Sequence, residues 1–468
     1  MSWAAQLSKL DWCVFIGLLV MSFAFLIWRR LANKNNNSIV EYMVMGRTLT
    51  LPMFVTTLVA TWYSGIFGVT QISFEHGLYN FITQGFFWYL AAAIFAQFFV
   101  RRAKESAALS FSELICQIYG RKSAWATALL IFIKTLPIPY AIAIGLFISG
   151  FTGIPLNLAI TLGLLAATIY SLQGGMRATI LSDVLQFLGM FTAVGSVVAV
   201  SYYSFGGWDY LRNTLPYSHF SIQGNHSFQV VIVWMLVAFS TTLLSPVFYQ
   251  RCFAAKTTKI ARTGIYISIG FWVISDILTT CAGMYARAHM PDAAPANAFM
   301  DYAINILPGG LRGFFLASIF VTVFSAIDSF LFISSSVISY DLFNKLAHNN
   351  TSRNFCIGGT ALITLIASSF FNGNIEKVWL LTESFFLACM LLPTILGLTL
   401  KQALPGDSIF RTISITFIAM VLWQIIGYPQ LVEPFFIGLA INCLCIILDL
   451  AKRSALKYHS RLSTIADQ

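Results

Sequence analysis

Charge is what this sequence has least of. Charged side chains fill 10% of its 468 positions, against roughly 25% in a soluble domain, so most of the chain does not face water. No polar stretch is long enough for a separate soluble domain, which leaves one membrane domain over 1–468. The eight cysteines hold no pair of pairs at metal-ligand spacing. Cys13, Cys281, Cys389, Cys443 and Cys445 lie in apolar segments and read as small packing residues. The six histidines lie mainly in loops, His219 and His226 among them, and are not read as a metal site. No basic region precedes the first apolar run, Trp12 to Trp28, and Arg29-Arg30 rather than a cleavage site follows it. That run is therefore a retained span and not a signal peptide. Nothing resembles a channel filter, no compact acid–base or metal constellation marks an enzyme, and the tail 451–468 is too short for a signalling domain.

What fills the chain instead is apolar: 58% hydrophobic and 15% aromatic residues, in runs near the roughly 20 residues that cross a bilayer. Thirteen spans are predicted, near 12–28, 50–72, 78–100, 123–151, 155–173, 178–203, 228–249, 263–286, 311–339, 354–371, 378–400, 409–427 and 433–450. Segments following odd-numbered spans carry 22 of the 28 lysines and arginines. By the positive-inside rule the N-terminus is outside, the C-terminus is cytoplasmic, and the net charge of +10 reflects topology rather than nucleic-acid binding. A multi-pass plasma-membrane protein, read as a monomer, is expected.

Glycine and proline interrupt several spans at depth: Ser64-Gly65 and Gly68 in the second, Pro137 and Pro139 in the fourth, Pro246 in the seventh. Unwound backbone survives there only where protein or a watery cavity satisfies it, and paired interruptions in two repeats point to a transporter's binding site. Spans two and seven are five apart. That spacing fits repeat units at 50–203 and 228–400, with one helix (12–28) before and two (409–450) after.

Ionisable residues inside spans are functional candidates by cost alone. They are Lys134, Asp183, Asp276, Asp328 and Glu383. Lys134 either neutralises a carboxylate across the bundle or takes the place of a coupling cation. Asp328 lies in a hydroxyl-rich span with Thr322, Ser325, Ser329 and Ser334–Ser336, oxygen ligands suited to a small hard cation. The plain alternative is that such hydroxyls bond back to their own helix or aid close packing.

Three stretches then resemble the sodium:solute symporter family. They are Tyr42-Met-Val-Met-Gly-Arg-Thr-Leu49 leading to Ala60-Thr-Trp-Tyr-Ser64-Gly65, Gly174-Gly-Met-Arg-Ala-Thr-Ile-Leu-Ser-Asp183-Val-Leu-Gln186, and Ser325-Ala-Ile-Asp-Ser329 through Asp341-Leu-Phe343. A weaker match is Gln250-Arg251-Cys-Phe-Ala-Ala-Lys256. The resemblance implies an all-α, LeuT-like five-plus-five inverted-repeat bundle working by alternating access. It implies uptake of a small organic solute driven by a cation, usually Na+. The family's sodium site then falls on backbone carbonyls of Ala60 and Tyr63 and on Thr322, Ser325 and Ala326. Ala326 departs from the family's second hydroxyl and removes one oxygen ligand. Asp328 is placed to compensate, Asp183 to aid ion release inward, and Ser64, Gly65 and Lys134 to line the substrate cavity. Leu244 and Val247 stand where sugar carriers present polar groups, which argues against a polyol. Proton coupling and a non-transporting sensor are the alternatives.

Overall fold

Lipid offers no hydrogen bonds, so a chain this apolar must satisfy its backbone within helices. The computed structural model describes residues 3–32, 38–63, 65–172, 175–343, 349–399, 404–426 and 432–466, with backbone alone at 25–32, 63, 178, 185 and 454–466. The principal helices begin with α1 (Lys9–Ala32), α2 (Leu51–Tyr63), α3 (Ile66–His76) and α4 (Asn80–Glu105). Next come α5 (Arg121–Thr135), α6 (Ile138–Thr152), α7 (Leu156–Ser171), α8 (Met176–Phe205), α9 (Phe228–Leu244) and α10 (Pro246–Ala254). The remainder are α11 (Thr258–His289), α12 (Leu311–Ser336), α13 (Asn350–Ser368), α14 (Ile375–Thr399), α15 (Gly406–Ile426) and α16 (Pro434–Ala466).

Among the described residues nine helical spans are long and apolar enough to cross a membrane, and a tenth is reached if α2 and α3 form one bent span. The sequence predicted thirteen. The expected spans 12–28, 155–173 and 354–371 fall on α1, α7 and α13, which are not among the nine. For α7 the reason is length, since its 16 residues rise only about 24 Å.

The interruptions differ in kind. α2 and α3 meet at 53° across residues 64–65. Gly65 and Gly68 are required on this bend because a Cβ at either would come within 2.7 or 2.5 Å of the Trp379 ring on α14. In the seventh span Ser245 adopts an extended ψ of 115° and Pro246 opens α10. Phe228–Ala254 nevertheless continues as one span. Leu136 and Pro137 part α5 from α6 in the same fashion.

α12 packs against α1, α7, α8 and α13, while α11 carries both halves of the bent pair. α9 lies between α4 and α14. The backbone of Leu49, just before α2, bonds Ala254 and Lys256 at the end of α10, both at 3.0 Å. The bent span and the proline-interrupted one are thereby joined at one end.

Candidate functional site

Two polar regions sit inside this apolar bundle. The first centres on Asp183 of α8, fully buried. Its carboxylate accepts from Thr57 (2.5 Å) and Thr61 (3.2 Å) on α2, from Ser325 (3.1 Å) on α12, and from Gln186 (3.1 Å). The Ser325 hydroxyl also lies 2.9 Å from that of Ser182. The guanidinium of Arg251, on α10, lies 3.7 Å from Asp183 and donates to Thr61 at 3.0 Å. A buried carboxylate is tolerated when paired and hydrogen-bonded, and here five side chains on four helices do that. Ala60 lies between Thr57 and Thr61 and is itself buried. α2 stops at Tyr63, and the carbonyls in the last turn of a helix lack the i→i+4 partners of its interior.

Of the residues assigned to the ion site, Ser325 joins this network and Thr322 does not through its side chain. The Thr322 hydroxyl donates back to Ser318 at 2.7 Å, the ordinary fate of threonine in a membrane helix. Ala326 is buried and adds no oxygen. Asp328 turns toward the opposite end of the same strip, accepting from Ser171 (2.6 Å) and Thr179 (3.5 Å). Thr179 and Asp183 lie one turn apart on α8, so hydroxyls and carboxylates alternate along the α8–α12 seam. The side chain of Tyr63 and all of Ser64 lie outside the described residues.

The second region is a cavity of about 120 Å³. Thr61, Trp62, Gly65 and Val69 line it from the bent pair, Gln84 and Trp88 from α4, and Trp234, Val237 and Thr241 from α9. Lys134, Thr135, Tyr140, Ser245, Pro246, Val247, Phe330, Trp379 and Glu383 complete the wall. Lys134 and Glu383 form an ion pair across it, with side chains 7% and 19% exposed. Thr241 also donates to Glu383 at 3.0 Å, and the ammonium sits 5.0 Å from the centre of the Phe386 ring. Gln84, Trp88 and Trp234 bring buried side-chain polar atoms that make no hydrogen bond. Thr61 belongs to both regions, so cavity and carboxylate network share a wall.

Asp276 stands apart from both. It is buried on α11 and accepts from the Tyr89 hydroxyl of α4. Sequence reasoning assigned no role to Arg251, although the Gln250-Arg251 match pointed at it. It also gave none to Gln84, whose polarity within an apolar span was the available signal. Six aromatic rings line the cavity.

Residues 42–398 match the sequence profile of the sodium:solute symporter family. The chain belongs to that family. It is accordingly a multi-pass membrane transporter and not an enzyme. Among relatives, it is 26% identical over 347 residues to a sodium/pantothenate symporter of Haemophilus influenzae, covering 69% of this chain and 70% of that one. It is 26% identical over 278 residues to sodium/myo-inositol cotransporter 2 of Sus scrofa, covering 50% of this chain and 41% of the relative. Among solved structures, a Na+-coupled sialic acid symporter in a substrate-bound outward-open state superposes with a TM-score of 0.75 at 16% identity, covering 94% of this chain and 96% of the other. That likeness fits the LeuT-like architecture.

Proposed function

We propose that the protein carries a small zwitterion across the plasma membrane together with Na+, by alternating access of the units 50–203 and 228–400. The observation that carries the solute class is the Lys134–Glu383 pair in the cavity wall. The pair is neutral as a whole, so a solute of net charge entering the cavity leaves one charge uncompensated. An uncompensated buried charge costs several kcal/mol. A zwitterion exchanges partners instead, its carboxylate going to Lys134 and its ammonium to Glu383 and the indole faces. The N–H groups of Gln84, Trp88 and Trp234 supply further donors for the carboxylate. Val247 lines the cavity with an apolar face, which weighs against a polyol.

The ion reading rests on the meeting of the open end of α2 with Ser325 and Asp183. The carbonyls of Ala60 and Tyr63, together with Thr322 and Ser325, supply hard oxygen ligands of the kind an alkali cation takes. Asp183 neutralises the ion's charge as it leaves. In the proton-coupled alternative Lys134 acts as an unpaired charge in place of the ion, and its engagement with Glu383 weighs against that.

The test is uptake of radiolabelled amino acids, betaines, short carboxylates, pantothenate and inositol into proteoliposomes, under an inward sodium gradient, an inward proton gradient, or neither. Sodium-driven accumulation of zwitterions alone is the expected result. Accumulation of a simple carboxylate or of inositol overturns the solute class, and uptake driven by protons without sodium overturns the coupling ion.

A further inference from the structure

Beyond the cavity, at the end where α3 stops and α14 starts, lies a cluster that neither the solute nor the sodium reading uses. His76 is the last residue of α3, His226 sits in the loop before α9, and Glu376 is in the first turn of α14. The three are far apart in sequence, yet one ligand atom of each lies within 4.8 Å of the other two. By the basic-residue distribution this end faces outward.

We propose that His76, His226 and Glu376 form a binding site for a divalent transition-metal ion of the zinc type, which clamps the outer mouth of the transporter shut. The donor set decides the ion. Two imidazoles and one carboxylate suit zinc, cobalt or nickel and leave a coordination position for water, whereas sodium takes hard oxygens. The site is therefore chemically separate from the hydroxyl–carboxylate seam at Asp183.

Geometry supports it. His226 Nε2 lies 3.4 Å from Glu376 Oε1, close to the edge of about 3.3 Å in a tetrahedron with bonds of 2.0–2.1 Å. The same nitrogen is buried and makes no hydrogen bond among the described residues. The two imidazoles stack at 3.8 Å between centroids and 27° between planes. Stacked rings hold their lone pairs side by side, so one ring must turn for both to reach one ion. His226 turns without breaking a hydrogen bond at Nε2. Neutral His76 carries its lone pair on Nδ1, since that atom faces the Asn225 amide at 3.2 Å, and the metal replaces this contact. Tyr79, 4.7 Å from the His226 ring, closes one side.

The consequence follows from the order of residues along α14. Glu376 comes first, then Trp379, whose ring covers Gly65 and Gly68 of the bent pair, then Glu383 in the cavity wall. At 1.5 Å per residue the metal cluster stands about 10 Å beyond Glu383. An ion bridging α3 to α14 there holds Trp379 down on the bend and prevents outward opening.

Co2+ titration of the purified full-length protein in detergent at pH 7.5, read by visible absorbance, tests binding without reference to transport. Expected is one equivalent with the intense bands of tetrahedral Co2+, displaced by Zn2+. His226→Gln and Glu376→Gln, each checked for an unchanged melting temperature, should weaken binding at least tenfold. Unchanged Co2+ binding in both variants, or none in the wild type, overturns the site. In proteoliposomes, external Zn2+ should slow uptake in the wild type and spare His226→Gln. Metal binding with full transport refutes the clamp while leaving the site. Failure of the zwitterion reading shows only in the solute panel and leaves the Co2+ titration untouched.

Discussion

Arg251 and Asp183, on helices that touch the bent span from different sides, hold their charges 3.7 Å apart with side chains 2% and 0% exposed. Thr57 and Thr61 bond the carboxylate directly, and Thr61 reaches the guanidinium as well. Asp183→Ala leaves a buried guanidinium unpaired, a loss of about 3–5 kcal/mol. Asp183→Asn keeps acceptor and donor atoms in place and loses less. Thermal unfolding in detergent should rank wild type above Asn above Ala, and melting temperatures equal to wild type in both variants would show that the pair contributes no stability.

The Lys134–Glu383 pair gives a different pattern. Either single change, Lys134→Met or Glu383→Met, strands a charge and lowers the melting temperature, while the double change restores much of it. Transport should not recover in the double variant, because the partners exchanged with the solute are gone. Recovery of uptake together with stability would mean the pair is structural only.

Ala326 offers a gain-of-function test. Ala326→Ser returns a hydroxyl beside Ser325 at a fully buried position. A further oxygen on a bound ion, at about 1.5 kcal/mol, lowers the sodium concentration for half-maximal uptake about tenfold. Ser325→Ala should raise it. The sodium dependence of initial uptake rates reads both, and no shift in either direction would remove this turn of α12 from the ion site.

Gly68 lies against the Trp379 ring on the bent pair. Its Cβ would meet Trp379 at 2.5 Å and Ile375 at 2.9 Å. Gly68→Ala should hold the indole away from the bend, so that a cysteine introduced into the cavity by Val237→Cys reacts faster with an external maleimide. Adding Trp379→Ala relieves the clash and should leave the labelling rate of the double variant equal to that of Trp379→Ala alone.

Several of these pairings could be approached from the sequence but not completed. Lys134 reads as needing a carboxylate across the bundle, yet Asp183, Asp276 and Asp328 compete with Glu383, and only the packing of α5 against α14 selects Glu383. Asp183 is visible in its motif, whereas its partner Arg251 looks like one more basic residue at a helix end. The hydroxyls of α12 show the difficulty most clearly. Thr322 and Ser325 lie one turn apart with the same chemistry, but Thr322 bonds its own helix and Ser325 bonds Asp183. Rotation of α12 about its axis, set by packing against α1 and α8, makes that choice.

Composition and periodicity alone determined that this chain is helical and membrane-embedded, because 10% charge and apolar runs of bilayer length allow nothing else. The glycines and prolines located the interruptions, and short motifs located the family. Tertiary structure alone decided which interruption becomes a bend, which carboxylate receives Lys134, and that His76, His226 and Glu376 meet. The reason is physical: a helix's own hydrogen bonds are local and legible in order along the chain, whereas ion pairs, cavities and ligand clusters join side chains far apart in sequence.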